Sequence, residues 1–337
     1  MSDRSALMQD FVAKTDWAGA AIAPLAGDAS NRRYLRLTHP KTGTTAVLMD
    51  APPERGEDVR PFLQIARYLT GLGLSAPHIL AQDEARGFLI LEDLGDALFA
   101  RVIPVAPQME DQLYTAATDV LIDLHRAAPP QGLKPYGPDT MTDMAALAFD
   151  WYLTGATGEV SPQRAEALAA LNRLLRQHAA TTDVIVLRDY HAENLLWLPG
   201  RRGSARVGLL DFQDAMTGHR AYDLVSVLQD ARRDVPRAIE TAMIARYCRA
   251  TETDQSLFEG AYYCLGAQRN LRILGVFARL CLRDGKAHYI DLIPRVWDHL
   301  QRDLDHPALA PVADLLRAAL PAPTSAILER LRAQRAS

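Results

Sequence analysis

Along the first ninety-five residues, hydrophobic and polar positions follow the short period of β-structure, broken once by a helix. Arg33 to Thr38 (RYLRLT) alternates in type, Thr44 to Met49 (TTAVLM) reads as a second strand, and His39-Pro40-Lys41-Thr42-Gly43 between them has hairpin-turn chemistry. The pattern predicts a helix from about Arg60 to Leu72, with Pro61 in its first turn and Gly71 and Gly73 at its end. Phe88 to Leu91 (FLIL) reads as a short buried strand that runs into the polar connector Glu92-Asp93-Leu94-Gly95. Beyond residue 96 the period becomes helical. Gln108 to His125 places Leu113, Ala116, Ala117, Val120, Leu121 and Leu124 at helical spacing, and Glu166 to His178, Phe258 to Arg283 and Ile327 to Arg335 read as further helices. Pro129 to Pro138 reads as a loop, and two short apolar runs, Val184 to Leu187 and Val207 to Leu210, interrupt the helices. These elements predict an α+β chain in two lobes: a small strand-rich lobe over 1–95, ending in a hinge at about 91–95, and a larger helical lobe over 96–337.

Charge and composition narrow the function classes. Lys and Arg number 37 against 41 Asp and Glu, a formal net charge of −4, which argues against a basic nucleic-acid-binding domain and a polybasic membrane surface. The apolar stretch Trp17 to Gly27 is approached through Asp3, Asp10 and Asp16 and broken by Pro24, so neither a signal peptide nor a membrane span is expected. The three cysteines, Cys248, Cys264 and Cys281, have no disulfide or zinc spacing and read as small buried apolar residues. The expectation is a cytoplasmic monomer that engages small molecules, with no nucleic-acid or membrane partner.

The chemistry concentrates in one stretch. In Leu187-Arg188-Asp189-Tyr190-His191-Ala192-Glu193-Asn194, Asp189 and Asn194 stand five apart with an apolar run on each side. A hairpin turn, Pro199-Gly200-Arg201-Arg202-Gly203-Ser204, leads to the strand Arg206 to Leu210 and then to Asp211-Phe212-Gln213. Antiparallel pairing across that turn would bring Asn194 and Asp211 together. An Asp that accepts a hydroxyl proton, followed by an Asn and a strand-end Asp as hard oxygen donors for Mg²⁺, is a layout for phosphoryl transfer.

These residues resemble the protein-kinase-like fold, and within it the aminoglycoside-phosphotransferase family. Arg188-Asp189 with Asn194 is similar to the protein-kinase H-R-D-x-x-x-x-N loop, His191 to the D-x-H-x-x-N form of small-molecule kinases, and Asp211-Phe212-Gln213 to the D-F-G motif with its glycine replaced. The resemblance spans nearly the whole chain. It implies a bilobal fold, ATP and Mg²⁺ as cofactors, Asp189 as catalytic base, and Asn194 and Asp211 as metal ligands. Four segments, Leu25 to Tyr34, Val47 to Pro53, Leu91 to Gly95 and Leu210 to Ala215, further resemble the amino-sugar anomeric kinases of cell-wall recycling. That likeness implies ATP-dependent phosphorylation of the C1 hydroxyl of N-acetylmuramate and N-acetylglucosamine. Other small alcohols (an aminoglycoside, homoserine, choline) and a non-catalytic binding module are the alternatives.

Two departures from the family pattern stand out. Gly27-Asp28-Ala29-Ser30-Asn31 occupies the place of the glycine-rich phosphate loop with a single glycine, and Met49 occupies the place of the strand lysine. Either Arg32 or Arg33 would then supply the missing positive charge; strand alternation lets only one of them face the nucleotide. Glu92, Asp93 and Leu94 would present their backbone to adenine. Arg188, His191, Arg269 and Arg272 are candidates for contact with the acceptor, His191 also for a bond that shapes its own loop, and either Arg269 or Arg272 for a lactyl carboxylate. Each has a plainer reading: a solvated helix face for the last two, core filling for Met49, solvated side chains for Arg201 and Arg202. Asp223, by the same resemblance, would hydrogen-bond the backbone of the catalytic loop.

Overall fold

Nine strands and a larger number of helices make up the computed structural model, which describes residues 4–25 and 31–336. Gly27, Asp28, Ala29 and Ser30 of the expected phosphate loop lie outside the described residues. The strands are β1 (Ala21–Pro24), β2 (Arg33–Thr38), β3 (Thr45–Asp50), β4 (Ile79–Asp83), β5 (Phe88–Glu92), β6 (Val184–Val186), β7 (Leu195–Trp197), β8 (Val207–Leu209) and β9 (Met216–Gly218). The chain divides into two compact units, Met1–Val120 with Glu193–Ala215, and Leu121–Ala192 with Met216–Ser337.

In the first unit, five strands form an antiparallel sheet in the order β1-β2-β3-β5-β4. The predicted β2 and β3 are joined through the predicted turn, where Gly43 takes the positive φ that a side chain would resist. Alternation then sorts side chains to two faces. Leu37, Ala46, Leu48, Phe88 and Ile90 share one face and bury against Phe11 and Val12 of the N-terminal helix Arg4–Ala13. Tyr34, Arg36, Val47, Met49, Leu89 and Leu91 take the other face by register. The sequence pattern did not reveal the N-terminal helix, whose apolar residues fall in no clear stripe, nor the edge strands β1 and β4. The predicted helix near residue 60 is present as Arg60–Gly71, its apolar face (Phe62, Leu63, Ile65, Ala66, Leu69) buried.

The same unit holds the β7–β8 hairpin, paired Leu195↔Leu209 to Trp197↔Val207. Backbone bonds fasten it on both sides: Trp197 N–H donates to Ala97 O at 2.8 Å and Leu209 N–H to Ser75 O at 2.9 Å. Arg201, read from sequence as solvated, instead bonds Ser75 Oγ at 2.6 Å and Glu92 Oε1 at 2.5 Å. The turn is therefore clamped to the end of β5, because Glu92 is half-buried and needs a partner that only the fold brings near.

In the second unit the axis is the helix Gln255–Leu282, twenty-eight residues long and buried over most of its length. Asp254 caps it by accepting from Leu257 N–H at 2.9 Å. The face carrying Gln268, Arg269 and Asn270 is buried, not solvated, and each of the three donates to a partner brought in by the fold: Gln268 to Met141 O, Arg269 to Gln229 O, and Asn270 to Gln229 Oε1 and Asp303 Oδ2. All three cysteines are free and buried, as expected from sequence. Among the described residues, no helix is long and apolar enough to cross a membrane.

At Gly275 this helix touches the backbone of Leu147 so closely that an added Cβ would stand 2.2 Å from Leu147 C. Backbone cannot yield as a side chain can, so the clash outweighs alanine's gain of about 1 kcal/mol in helix propensity. Gly275→Ala is predicted to destabilise the protein by about 2–3 kcal/mol, read as a lowered urea midpoint; an unchanged midpoint would show that the helix can shift without cost.

Candidate active site

The stretch from β6 to β9 supplies the candidate residues. β6 pairs antiparallel with β9, a strand not foreseen from sequence, and delivers the chain to Leu187. The next residue, Arg188, has φ 71°, and after the hairpin Asp211 has φ 57°. Among the described residues only one other non-glycine, Glu252, has positive φ. Backbone of this kind costs about 1–3 kcal/mol per residue and persists only where surroundings impose it.

At Arg188 the imposing group is Asp223, fully buried at the start of the helix Tyr222–Leu228. Its Oδ2 accepts from Leu187 N–H at 2.6 Å and its Oδ1 from Arg188 N–H at 2.9 Å. Charge-assisted bonds contribute about 1.5–3 kcal/mol each, enough for the pair to hold the strained residue. Burial pushes this carboxyl up to about 7 against the two amides. Ser226 Oγ bonds Arg188 O at 3.4 Å, and at the other end of the loop buried Asp230 accepts from Ala192 N–H at 3.2 Å. Asp189, half-buried, is therefore carried on a loop tied down at both ends within the second unit.

His191 and Arg269 lie deeply buried in the same unit as this loop. His191 is 7 % exposed, its Nε2 is 3.4 Å from Arg232 Nη1, and burial with the Arg232 charge drives its pKa well below the ordinary range. Arg269 is 5 % exposed and spends Nη1 on Gln229 O at 3.1 Å. Arg272, one turn further along, is half-buried; its Nη1 donates to Tyr222 Oη at 3.3 Å. Tyr222 packs edge-on against Tyr136 with centroids 5.0 Å apart, and the Arg188 guanidinium stands 5.5 Å from the Tyr136 ring. The four candidates thus separate into two that lie deep (His191, Arg269) and two beside the tyrosine pair (Arg188, Arg272).

The first unit carries Asn194 and Asp211, at the open ends of β7 and β8. Leu210 N–H donates to Asn194 O at 3.0 Å, and Asn194 Nδ2 lies 3.4 Å from Asp211 Oδ2. The antiparallel register expected from the sequence brings these two residues together. Gln213, in the place of the motif glycine, donates through Nε2 to Asp211 Oδ1 at 2.6 Å. Phe212 is fully buried and stacks on Phe62 with centroids 4.9 Å apart. An asparagine side chain and a carboxylate side by side can together offer the hard oxygen donors that Mg²⁺ accepts when phosphates complete its shell.

Around the candidate nucleotide region, Asn31 is exposed, with its backbone N–H on Glu57 Oε1 at 3.2 Å. Arg32 pairs with Glu57 at 2.7 Å, and Arg33 with fully buried Asp50 at 2.5 Å, where Arg4 also binds at 2.6 Å. Register places Arg33 on the helix-covered face of the sheet and Met49, 1 % exposed, on the other. The arginine sharing the Met49 face is Arg36, which sequence reasoning passed over although RYLRLT alternates visibly. Arg36 pairs with Asp93 at 2.7 Å and Asp96 at 2.9 Å. It therefore fastens the connector Glu92-Asp93-Leu94-Gly95, in which Asp93 Oδ1 also accepts from Gly95 N–H at 2.9 Å. Asp230, too, was missed, and no local pattern marks it.

Comparison with known proteins decides the class. The model of the phosphotransferase enzyme family matches residues 21–259. The chain belongs to this phosphotransferase family. Among curated relatives, the N-acetylmuramate/N-acetylglucosamine kinase of Caulobacter vibrioides is 39% identical, over 92% of this chain and 94% of the relative. The protein of the same name from Pseudomonas aeruginosa is 36% identical, over 90% and 89%. Solved structures with this fold include a microcompartment-associated aminopropanol kinase (TM-score 0.63, 15% identity, 92% of this chain and 99% of that one). A choline kinase from Cryptosporidium parvum also matches (TM-score 0.59, 10% identity, 94% and 100%). The α+β, protein-kinase-like fold expected from the sequence is therefore the fold of this phosphotransferase.

The phosphotransferase also buries the Asp303 carboxyl, which accepts from Gln229 Nε2 at 2.8 Å and Asn270 Nδ2 at 2.9 Å. Burial raises it from 3.8 to about 8 against those bonds. A carboxyl whose native pKa exceeds its unfolded value stabilises the fold most when protonated. The contribution of Asp303 is thus complete below about pH 4 and lost as pH rises through about 8. Asp303→Asn should flatten the fall in unfolding free energy between those limits, measured by urea titration at a series of pH values; an equally steep profile in the variant would exclude Asp303 as its source.

Proposed function

We propose that this phosphotransferase moves the terminal phosphoryl group of ATP to the anomeric C1 hydroxyl of N-acetylmuramate and N-acetylglucosamine, giving the α-1-phosphates for peptidoglycan recycling. The observation that carries this reading is identity of 39% and 36%, over about nine-tenths of the chain, to relatives bearing that name. A solved aminoglycoside phosphotransferase of the same fold holds ADP, which supports a nucleotide donor.

In this reading Asp189 accepts the proton of the C1 hydroxyl as its oxygen bonds to the γ-phosphorus and the bond to ADP breaks. The loop anchored by Asp223 and Asp230 keeps that carboxylate in place, so little of the barrier goes to orientation. Asn194 and Asp211 would hold Mg²⁺, which would supply positive charge to offset that of the phosphates. Gly27, Asp28, Ala29, Ser30 and Asn31 are the loop assigned to the phosphates. Glu92, Asp93 and Leu94 present the adenine-reading backbone, with the lobes divided as 1–95 and 96–337. Arg32 is the loop arginine assigned to the phosphates, because Arg33 lies on the sheet face covered by the N-terminal helix. The enzyme acts as a cytoplasmic monomer.

The test is ADP release with Mg-ATP and each amino sugar, with ³¹P NMR of the product. Turnover with an anomeric phosphate signal is expected, and Asp189→Ala should lower kcat by about 100- to 10,000-fold while ATP affinity stays within about threefold. Silence of the wild-type enzyme on both sugars, or full turnover by the variant, would overturn the reading.

A further inference from the structure

Resting on the sugar-kinase reading above, the charge around Asp189 in the second unit bears on which sugar is preferred. Several half-buried arginines in this chain are matched by a carboxylate: Arg4 by Asp50, Arg32 by Glu57, Arg36 by Asp93, Arg201 by Glu92, Arg302 by Glu240. Arg272 is not among them. Among the described residues no carboxylate lies within ion-pair distance of it, and its one hydrogen bond goes to the Tyr222 hydroxyl. The Asp189 charge is nonetheless close enough to act on it, alongside Tyr222 and Tyr136. Arg188 lies over Tyr136, whose ring packs against Tyr222. Two guanidiniums and two aromatic rings therefore gather near Asp189 and Asp223.

Such a group is matched to its substrate by charge and shape. A guanidinium fork held on a phenol suits a carboxylate, which it can bind in bidentate fashion. N-acetylmuramate differs from N-acetylglucosamine by a lactyl ether ending in a carboxylate. We propose that Arg272, seated on Tyr222, binds that lactyl carboxylate and makes N-acetylmuramate the preferred acceptor. Arg269, the other arginine on this helix, is excluded by its burial and by its bond to Gln229 O.

The experiment compares kcat/KM for the two sugars in the wild-type enzyme, Arg272→Gln and Arg272→Lys, and adds the neutral lactyl amide of N-acetylmuramate as a wild-type substrate. Wild type should favour N-acetylmuramate. Arg272→Gln should lower the ratio of the two kcat/KM values about 10- to 100-fold, chiefly through KM for N-acetylmuramate, with partial rescue in Arg272→Lys. The amide should lose a similar factor with no substitution made, which keeps the test valid if a variant fails to fold. Equal losses on both sugars, or an amide used as well as the acid, would overturn the carboxylate subsite alone. No turnover of either sugar by wild type would instead overturn the sugar-kinase reading on which it rests.

Discussion

A carboxylate in the core, Asp223, organises the part of this enzyme where chemistry is expected. Leu187 and Arg188 present two amide N–H groups toward it, and Arg188 must take a left-handed backbone for both to do so. An unpaired carboxyl at that depth would be costly, and so would the backbone strain; each removes the cost of the other. With the near end of the loop fixed this way and Ala192 held by Asp230 at the far end, Asp189 has little room to wander. His191 and Arg269 lie deep in the same unit, His191 beside Arg232 and Arg269 on Gln229 O.

The first unit solves a parallel problem with different means. Its hairpin must present Asn194 and Asp211 at adjacent strand ends, and a two-strand ribbon of three residues each is marginal alone. Here the ribbon is sewn to Ala97 and Ser75 by backbone bonds, clamped by Arg201 onto Glu92, and anchored by the buried stack of Phe212 on Phe62. Met49 fills core in place of the strand lysine. The charge on its face of the sheet belongs to Arg36, which is committed to Asp93 and Asp96 at the connector.

Much of this was legible in the chain. RYLRLT, TTAVLM and FLIL alternate or run apolar strongly enough to be seen as strands, and the helix from Arg60 is marked by Pro61 and its apolar stripe. What escaped notice lacks a local signal: the N-terminal helix has no clean stripe, and β1, β4 and β9 are short edge or partner strands stabilised by the neighbour each pairs with. The solvated reading of Arg201 and of the Gln268-Arg269-Asn270 face failed for a related reason. Polar residues read as exposed until their partners are known, and Glu92, Gln229 and Asp303 are distant in sequence.

The sequence by itself determined the class of chemistry, because Asp189, Asn194 and Asp211 sit on adjoining stretches of chain whose spacing and hairpin register are local properties. Only the tertiary structure decided which arginine serves which purpose. Arg32, Arg33, Arg36, Arg188, Arg269 and Arg272 are chemically identical, and what separates them is the carboxylate, tyrosine or backbone carbonyl that folding places within a few ångströms. Those partners lie tens of residues away along the chain, and no pattern within a strand or a helix encodes a contact at that separation.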